Sequence, residues 1–382
     1  MKYPLFKVHV DVDDVLTRLR DVFSSGFINE GVYVTEFRDR LKEHFQHEHV
    51  TVTNSCTSSL VMALKLSGVV PGDEVITTSM TCVATNAPIM FANAKIVWAD
   101  IDPHTGNISV ESVRGLITKN TKAVICVDWA GLPCELEELW ALCKKNGIKL
   151  IQDAAHGFGS TLHDKPLCHF ADYTCYSFQA IKHLTSGDGG AIICDDPQDF
   201  QRANAMKWFG FDRDKLKDRE GNWKKTRWDA DIDIVGGKFS MNNISAVMGL
   251  SNLKYIDELV SKHKSNASVY REIFNMTGGT ITSLNAHPDS DPAYWVYTVL
   301  FDKKIDRDKV SGILKKKGIH NDLIHVPNHD YSCFIGSYCE LEGTDYFASH
   351  QLSLPCGWWL SKDDVEFIAH STIGAVEESW LV

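Results

Sequence analysis

The chain has 382 residues, 44% of them hydrophobic and 23% charged, with a formal net charge of −11 and a pI near 5.8. That length exceeds one compact core and implies about two domains. The acidic balance excludes nucleic acid and anionic membrane as main partners, and no apolar run reaches the ~18 residues of a membrane-spanning helix.

No apolar stretch of signal-peptide length follows Met1-Lys2-Tyr3-Pro4, and eleven cysteines are scattered without a Cys-x-x-Cys pair. A cytoplasmic protein with reduced thiols is expected. Cys168-His169 lacks a second ligand pair at suitable spacing, so no metal site is expected. Val15, Leu16, Leu19, Val22 and Phe23 recur at helical spacing. Gly26 and Gly31 punctuate a loop, and a second helix begins at Val34 and runs to Phe45. Between residues 50 and 195 short apolar strands alternate with helices. The spacing predicts helices over Thr57–Leu66, Thr85–Phe91 and Glu135–Lys145. It predicts strands over Glu74–Thr78, Lys95–Trp98, Lys122–Val127, Ile148–Gln152, Tyr173–Phe178 and Gly190–Cys194. This is an α/β pattern, a mostly parallel central sheet with helices on both faces. Ligands in such sheets bind beyond the carboxyl ends of the strands. Residues 212–235, charged and rich in tryptophan, read as a flap or a long surface loop. A helix over Ser240–Leu259 and a long helix through Asn275 follow. Beyond Thr280, a strand Tyr294–Phe301, a helix Asp306–Lys317, a strand Ile319–Val326 and a closing helix Asp363–Val376 predict a smaller α+β domain. The expected division is 1–260 and 261–382.

Four segments carry chemistry. Thr53-Asn54-Ser55-Cys56-Thr57-Ser58 opens a helix, where free amides and small hydroxyls either bind a phosphate or cap the helix. Leu150-Ile151-Gln152-Asp153-Ala154-Ala155-His156 ends a strand with a carboxylate and then an imidazole. Ser177 precedes Lys182 by five residues, and Gly187, Gly189 and Gly190 allow a sharp turn after them. A lysine amine forms a Schiff base with an aldehyde and a serine hydroxyl binds phosphate; pyridoxal 5'-phosphate (PLP) carries both groups. Val235-Gly236-Gly237-Lys238 joins a glycine turn to a helix.

In this order the segments resemble the DegT/DnrJ/EryC1/StrS aminotransferases, the PLP-dependent sugar aminotransferases of fold type I. The resemblance begins at Ser25-Gly26-Phe27-Ile28-Asn29-Glu30-Gly31 and runs to Gly236–Ile244, and it is less distinct further on. It implies the fold type I architecture with a smaller C-terminal domain. It implies that Lys182 holds the cofactor and shuttles the proton. Asp153 would pair with the pyridinium nitrogen, and His156 would lie near the ring and its 3-hydroxyl. Cys56, Thr57 and Ser177 would hold the phosphate. Lys238 would reach the phosphate of a neighbouring subunit, which makes the protein a homodimer with a composite site. Many members stack an aromatic residue on the ring; here Cys82 takes that position, so the stacking is weaker or another side chain covers the ring. Some relatives carry histidine in place of the lysine and dehydrate sugars, but the register from Ser177 puts Lys182, not His183, at the reactive position. The implied reaction is ping-pong transfer of an amino group from glutamate to a nucleotide-linked keto sugar, for amino sugars of surface polysaccharide or glycoconjugate. Lys207, Arg213, Arg227 and His325 are candidates for the diphosphate. The alternatives are an aminotransferase for a cyclitol or other ketone, a PLP sugar dehydratase, and a non-catalytic regulatory protein on the same fold.

Overall fold

The computed structural model describes residues 2–211, 231–334 and 340–379. Most of the predicted flap, including Arg213 and Arg227, lies outside the described residues. The strands are β1 (Val50–Thr53), β2 (Glu74–Thr78), β3 (Lys95–Ala99), β4 (Thr121–Val127), β5 (Lys149–Asp153), β6 (Thr161–Leu162), β7 (Lys165–Pro166), β8 (Tyr173–Ser177), β9 (Gly190–Cys194), β10 (Ile281–Ser283), β11 (Ser290–Asp291), β12 (Tyr297–Phe301) and β13 (Gln351–Leu354). The helices are α1 (Val12–Ser25), α2 (Val32–Phe45), α3 (Cys56–Leu66), α4 (Val83–Phe91), α5 (Val110–Leu116), α6 (Leu136–Asn146), α7 (Pro197–Met206), α8 (Asn243–Leu253), α9 (Ile256–Asn275), α10 (Arg307–Lys316), α11 (Glu342–His350) and α12 (Lys362–Glu377).

Seven strands form the main sheet in the order β1-β9-β8-β5-β4-β2-β3. Pairing is parallel from β3 through β8; β9 alone runs antiparallel to both its neighbours, β8 and β1. The inner strands are buried on both faces, which explains their near-continuous apolar sequence, as in Ala123-Val124-Ile125-Cys126-Val127. The crossing helices α3, α4 and α6 sit close to their predicted places, and the ends of α3 and α6 are coded locally. Ser55 Oγ accepts from the Ser58 amide at 3.1 Å to start α3, and Gly147 at φ 68° ends α6.

The C-terminal segment adds an antiparallel sheet, β10-β12-β13, packed with α9, α10 and α12. Its apolar core continues through Trp295 and Trp129 toward Met80 at the end of the main sheet. Three expectations are corrected here. The helix over Ser240–Leu259 is two helices, α8 and α9, divided at Lys254-Tyr255, where the Tyr255 hydroxyl donates to Asp11 at 2.6 Å. No strand forms over residues 319–326; the segment makes only isolated bridges, Tyr3 with Ile319 and Asp322 with Ser353, and Ile324 turns it with φ 61°. The strand predicted from Tyr294 begins at Tyr297, because Tyr294 has φ 49°. α5, α7, α11 and β13 were not predicted.

Candidate active site

The strand ends bring the chemical residues together. In register, Val127 of β4 lies beside Asp153 of β5, and Asp153 beside Cys175 of β8. Two residues later β8 ends at Ser177, opposite Gly190 of β9, and Gly190 also faces Thr53 of β1. Ser177 is thereby placed one strand away from Thr53, which leads into α3. Glycine is required at 190 by close approach: a Cβ there would lie 2.5 Å from the Cys56 amide nitrogen and 2.6 Å from the Ser55 carbonyl carbon. The result is a cradle of backbone amides with Thr57 and Ser177 beside it.

Asp153 is 4% exposed. It accepts from Thr85 Oγ1 at 2.7 Å, from the Ala155 amide at 3.1 Å and from Cys56 Sγ at 3.7 Å. Burial raises its pKa, against the pull of the Thr85 and Ala155 donors. The Cys56 thiol is thus turned to Asp153, leaving its amide for the cradle. Thr85, in the first turn of α4, also bonds Thr81 at 2.8 Å.

Lys182 follows a tight turn in which its amide donates to the Gln179 carbonyl at 2.9 Å. Its Nζ lies 3.6 Å from the centre of the Trp295 ring. The residue keeps partial exposure in the single chain, yet the crowding around Nζ governs its titration. Desolvation pulls its pKa down to about 8, opposed by Asp153, Cys82 and Cys56. His156 is 3% exposed and stacks on Trp295 at 4.1 Å and 20°. His325 lies parallel to it at 5.4 Å. Among the described residues, His156 Nδ1 and His325 Nε2 are buried without a hydrogen-bond partner. Burial drives the His156 pKa well down and that of His325 to about 3, with Lys182 acting in the same direction on both. His325 is therefore a neutral ring of this cluster and supplies no cation for a diphosphate. Lys207, another such candidate, is already paired with Glu30 at 2.5 Å.

Cys82 is exposed at the N-cap of α4 and lines a 380 Å³ cavity with His325, Ile324, Asn328 and Tyr331. Lys238 is exposed; its carbonyl accepts from Asn54 Nδ2 at 3.1 Å, which sets its loop beside the start of α3. Asp153, Cys56, His156 and Lys182 converge, and strand pairing adds Ser177. Thr85 and Trp295 belong to the same cluster but were not singled out in the sequence. Thr85 reads as an ordinary first-turn threonine, and Trp295 as one apolar residue of a strand.

The cluster fits PLP. Among the described residues it offers an amide cradle that any side chain at 190 would fill, a buried carboxylate with no ion-pair partner, an unpartnered imidazole nitrogen and an amine without a hydrogen bond. Among the described residues no group of three or more His, Cys, Asp and Glu side chains is placed to hold a metal ion, and no helix is long and apolar enough to cross a membrane.

The family model described as the DegT/DnrJ/EryC1/StrS aminotransferase family matches residues 10–372. The UDP-4-amino-4-deoxy-L-arabinose–oxoglutarate aminotransferase of Shewanella sediminis is 30% identical, over 95% of this chain and 95% of that protein. The sugar aminotransferase CalS13 of Micromonospora echinospora is 31% identical and superposes with a TM-score of 0.88, covering 96% of this chain and 98% of that one. The putative sugar aminotransferase Spr1654 of Streptococcus pneumoniae in its PMP form is 25% identical, with a TM-score of 0.89 and coverage of 98% and 99%.

Proposed function

We infer the function from one premise: this chain belongs to the DegT/DnrJ/EryC1/StrS aminotransferase family and is a fold type I aminotransferase. We propose that it is PLP-dependent and moves an amino group from glutamate to a nucleotide-linked keto sugar in amino-sugar biosynthesis. One observation carries this reading, the convergence of Lys182, whose amine lies 3.6 Å from the centre of the Trp295 ring, with the buried Asp153 and with His156, which stacks on the same ring. Relatives named for sugar and oxoglutarate chemistry support the substrate class.

When bound, the cofactor supplies an aldehyde for amines and a ring that withdraws electrons. The amides of Cys56 and Thr57, with the Thr57 and Ser177 hydroxyls, would hold its phosphate. Asp153, fixed by Thr85 and Ala155, would hold the ring nitrogen, and His156 would offer Nδ1 to the ring periphery. Lys182 moves the proton. With a pKa near the working pH, its amine both takes and gives a proton at little cost. Cys82 and His325 line one cavity and each bears on the Lys182 amine, which makes them the candidates for ring cover.

A division into a large N-terminal part and a smaller C-terminal part is likewise proposed, and the separate antiparallel sheet supports it; a boundary at 260/261 falls inside α9, so the join lies at that helix. So is the homodimer with a composite site. Phe27, Ile28, Phe209, Val235 and Ile244 are exposed around the Lys238 loop, and Asn243 and Gly237 tie that surface together. A second copy would cover it and bring its own Lys238 to this site. The thiols described are unpaired, which suits the cytoplasm.

The test is incubation with glutamate and a panel of nucleotide-linked keto sugars, read by mass spectrometry for the amino product. Lys182→Ala should lose turnover and the bound cofactor's visible absorbance at about 410–430 nm. Full activity in that variant overturns the assignment.

A further inference from the structure

We propose that the indole face of Trp295 is the resting place of the Lys182 amine whenever that amine is not bonded to the cofactor, so that Trp295 is a positioning residue for the proton carrier. The proposal rests on the reading of Lys182 given above.

Among the described residues, Lys182 Nζ has no hydrogen-bond or ion-pair partner. What it has is the Trp295 ring at 3.6 Å. A desolvated ammonium is attracted to the face of tryptophan more strongly than to any other aromatic side chain. The indole is itself fixed from several sides. Its Nε1–H donates to the carbonyl of Ile181, the residue before Lys182, at 2.7 Å. His156 stacks on it at 4.1 Å and Phe6 at 4.8 Å. The backbone leading into it is gripped as well: His183, next after Lys182, bonds the Ala293 carbonyl at 3.1 Å, and His263 bonds the Tyr294 carbonyl at 2.8 Å. The Trp295 amide donates to the Ala130 carbonyl at 2.8 Å. Tyr294 and Ala130 both hold left-handed backbone, a cost accepted where the structure over-determines a position. Residues on both flanks of Lys182 are thus bonded to the segment that carries the ring facing its amine.

Besides the ring, the groups that bear on the amine are Asp153, Cys56 and Cys82, which favour its charged form, and His156, His183 and His325, which disfavour it when protonated. A ring that merely filled space would desolvate the amine. A ring that also attracts the ammonium holds its titration higher than an aliphatic residue of similar bulk would.

The test is competitive labelling of the full chain, stripped of cofactor, with formaldehyde and a hydride reagent at a series of pH values. Mass spectrometry of the Lys182 peptide gives the midpoint. Trp295→Leu should lower it by about one pH unit, with Trp295→Phe falling between leucine and tryptophan. Tryptophans bearing one to four ring fluorines, incorporated biosynthetically, keep the shape and weaken the face; the midpoint should fall with each fluorine. That series stands even where the leucine variant fails to fold. A midpoint indifferent to fluorination overturns the proposal. It would leave the Lys182 assignment intact, since that assignment is tested by Lys182→Ala.

Discussion

Asp153 is a carboxylate sunk among apolar strands with no cation in ion-pair reach among the described residues. Its raised pKa means that folding disfavours the ionised form relative to the unfolded chain, so the carboxylate costs stability at neutral pH. A group kept at such a cost is a candidate for function. Asp153→Asn keeps the shape and the Thr85 donor while removing the charge. The cofactor-free variant should melt at or above the parent temperature, and its amino transfer should slow about 10²–10³-fold. Scanning calorimetry and a product assay check the two halves, and undiminished activity would overturn the role. Asp153, His156 and Lys182 were legible in the sequence because each sits in a short segment where the spacing itself carries meaning. Thr85 and Trp295 were not. Thr85 meets Asp153 only through the neighbour order of the sheet, and Trp295 meets Ile181 across 114 residues of chain.

At the scale of elements, the antiparallel β9 builds the cradle. It inserts between β1 and β8, so that Gly190 lies in register with both Thr53 and Ser177. The run of glycines announced a sharp turn and a close backbone approach, but not the element that approaches. The need for glycine at 190 comes from α3 of a different segment pressing on it, a contact no local pattern encodes. Gly190→Ala should destabilise the protein by about 1–3 kcal/mol as the N-terminus of α3 is pushed away. It should also let the cofactor dialyse out faster. Urea unfolding and retained visible absorbance report these separately; parent behaviour in both would show that α3 is not seated as described. The mispredicted stretch at 319–326 has the same cause. Its apolar residues suggested a strand, but the left-handed Ile324 turns His325 into the cluster at His156. There tertiary packing outweighs the local preference.

Across the whole molecule, the site lies where the main sheet meets the C-terminal segment, and the same burial that lowers Lys182 holds a group of histidines neutral. His156, His183, His263 and His325 all have depressed pKa values, about 4 for His263 and about 3 for His325, chiefly through desolvation. In the unfolded chain each would titrate near 6.5. Below that pH the unfolded state binds protons that the folded state refuses, so stability falls with pH by up to about 1.4 kcal/mol per unit for each histidine. Two buried acids work the other way. Asp128, raised to about 7, takes up its proton in the folded state first and so returns stability as pH falls from neutrality; Asp153, also raised, acts in the same direction. Histidines with depressed pKa values, His44 and His47 among them, outnumber these two acids, so the net effect below pH 6.5 is a loss of stability. The cofactor-free protein should therefore melt at progressively lower temperature from pH 6.5 to pH 5. His263 lies in α9, and His183 follows Lys182 on the large-sheet side; their rings meet at 4.7 Å. Because the histidines join the two parts of the chain and one apolar core runs between them, acid should bring both down in a single transition. Calorimetry over that range is the check: a melting temperature that holds or rises on acidification, or two separated transitions, would show that the histidine cluster does not tie the two parts together.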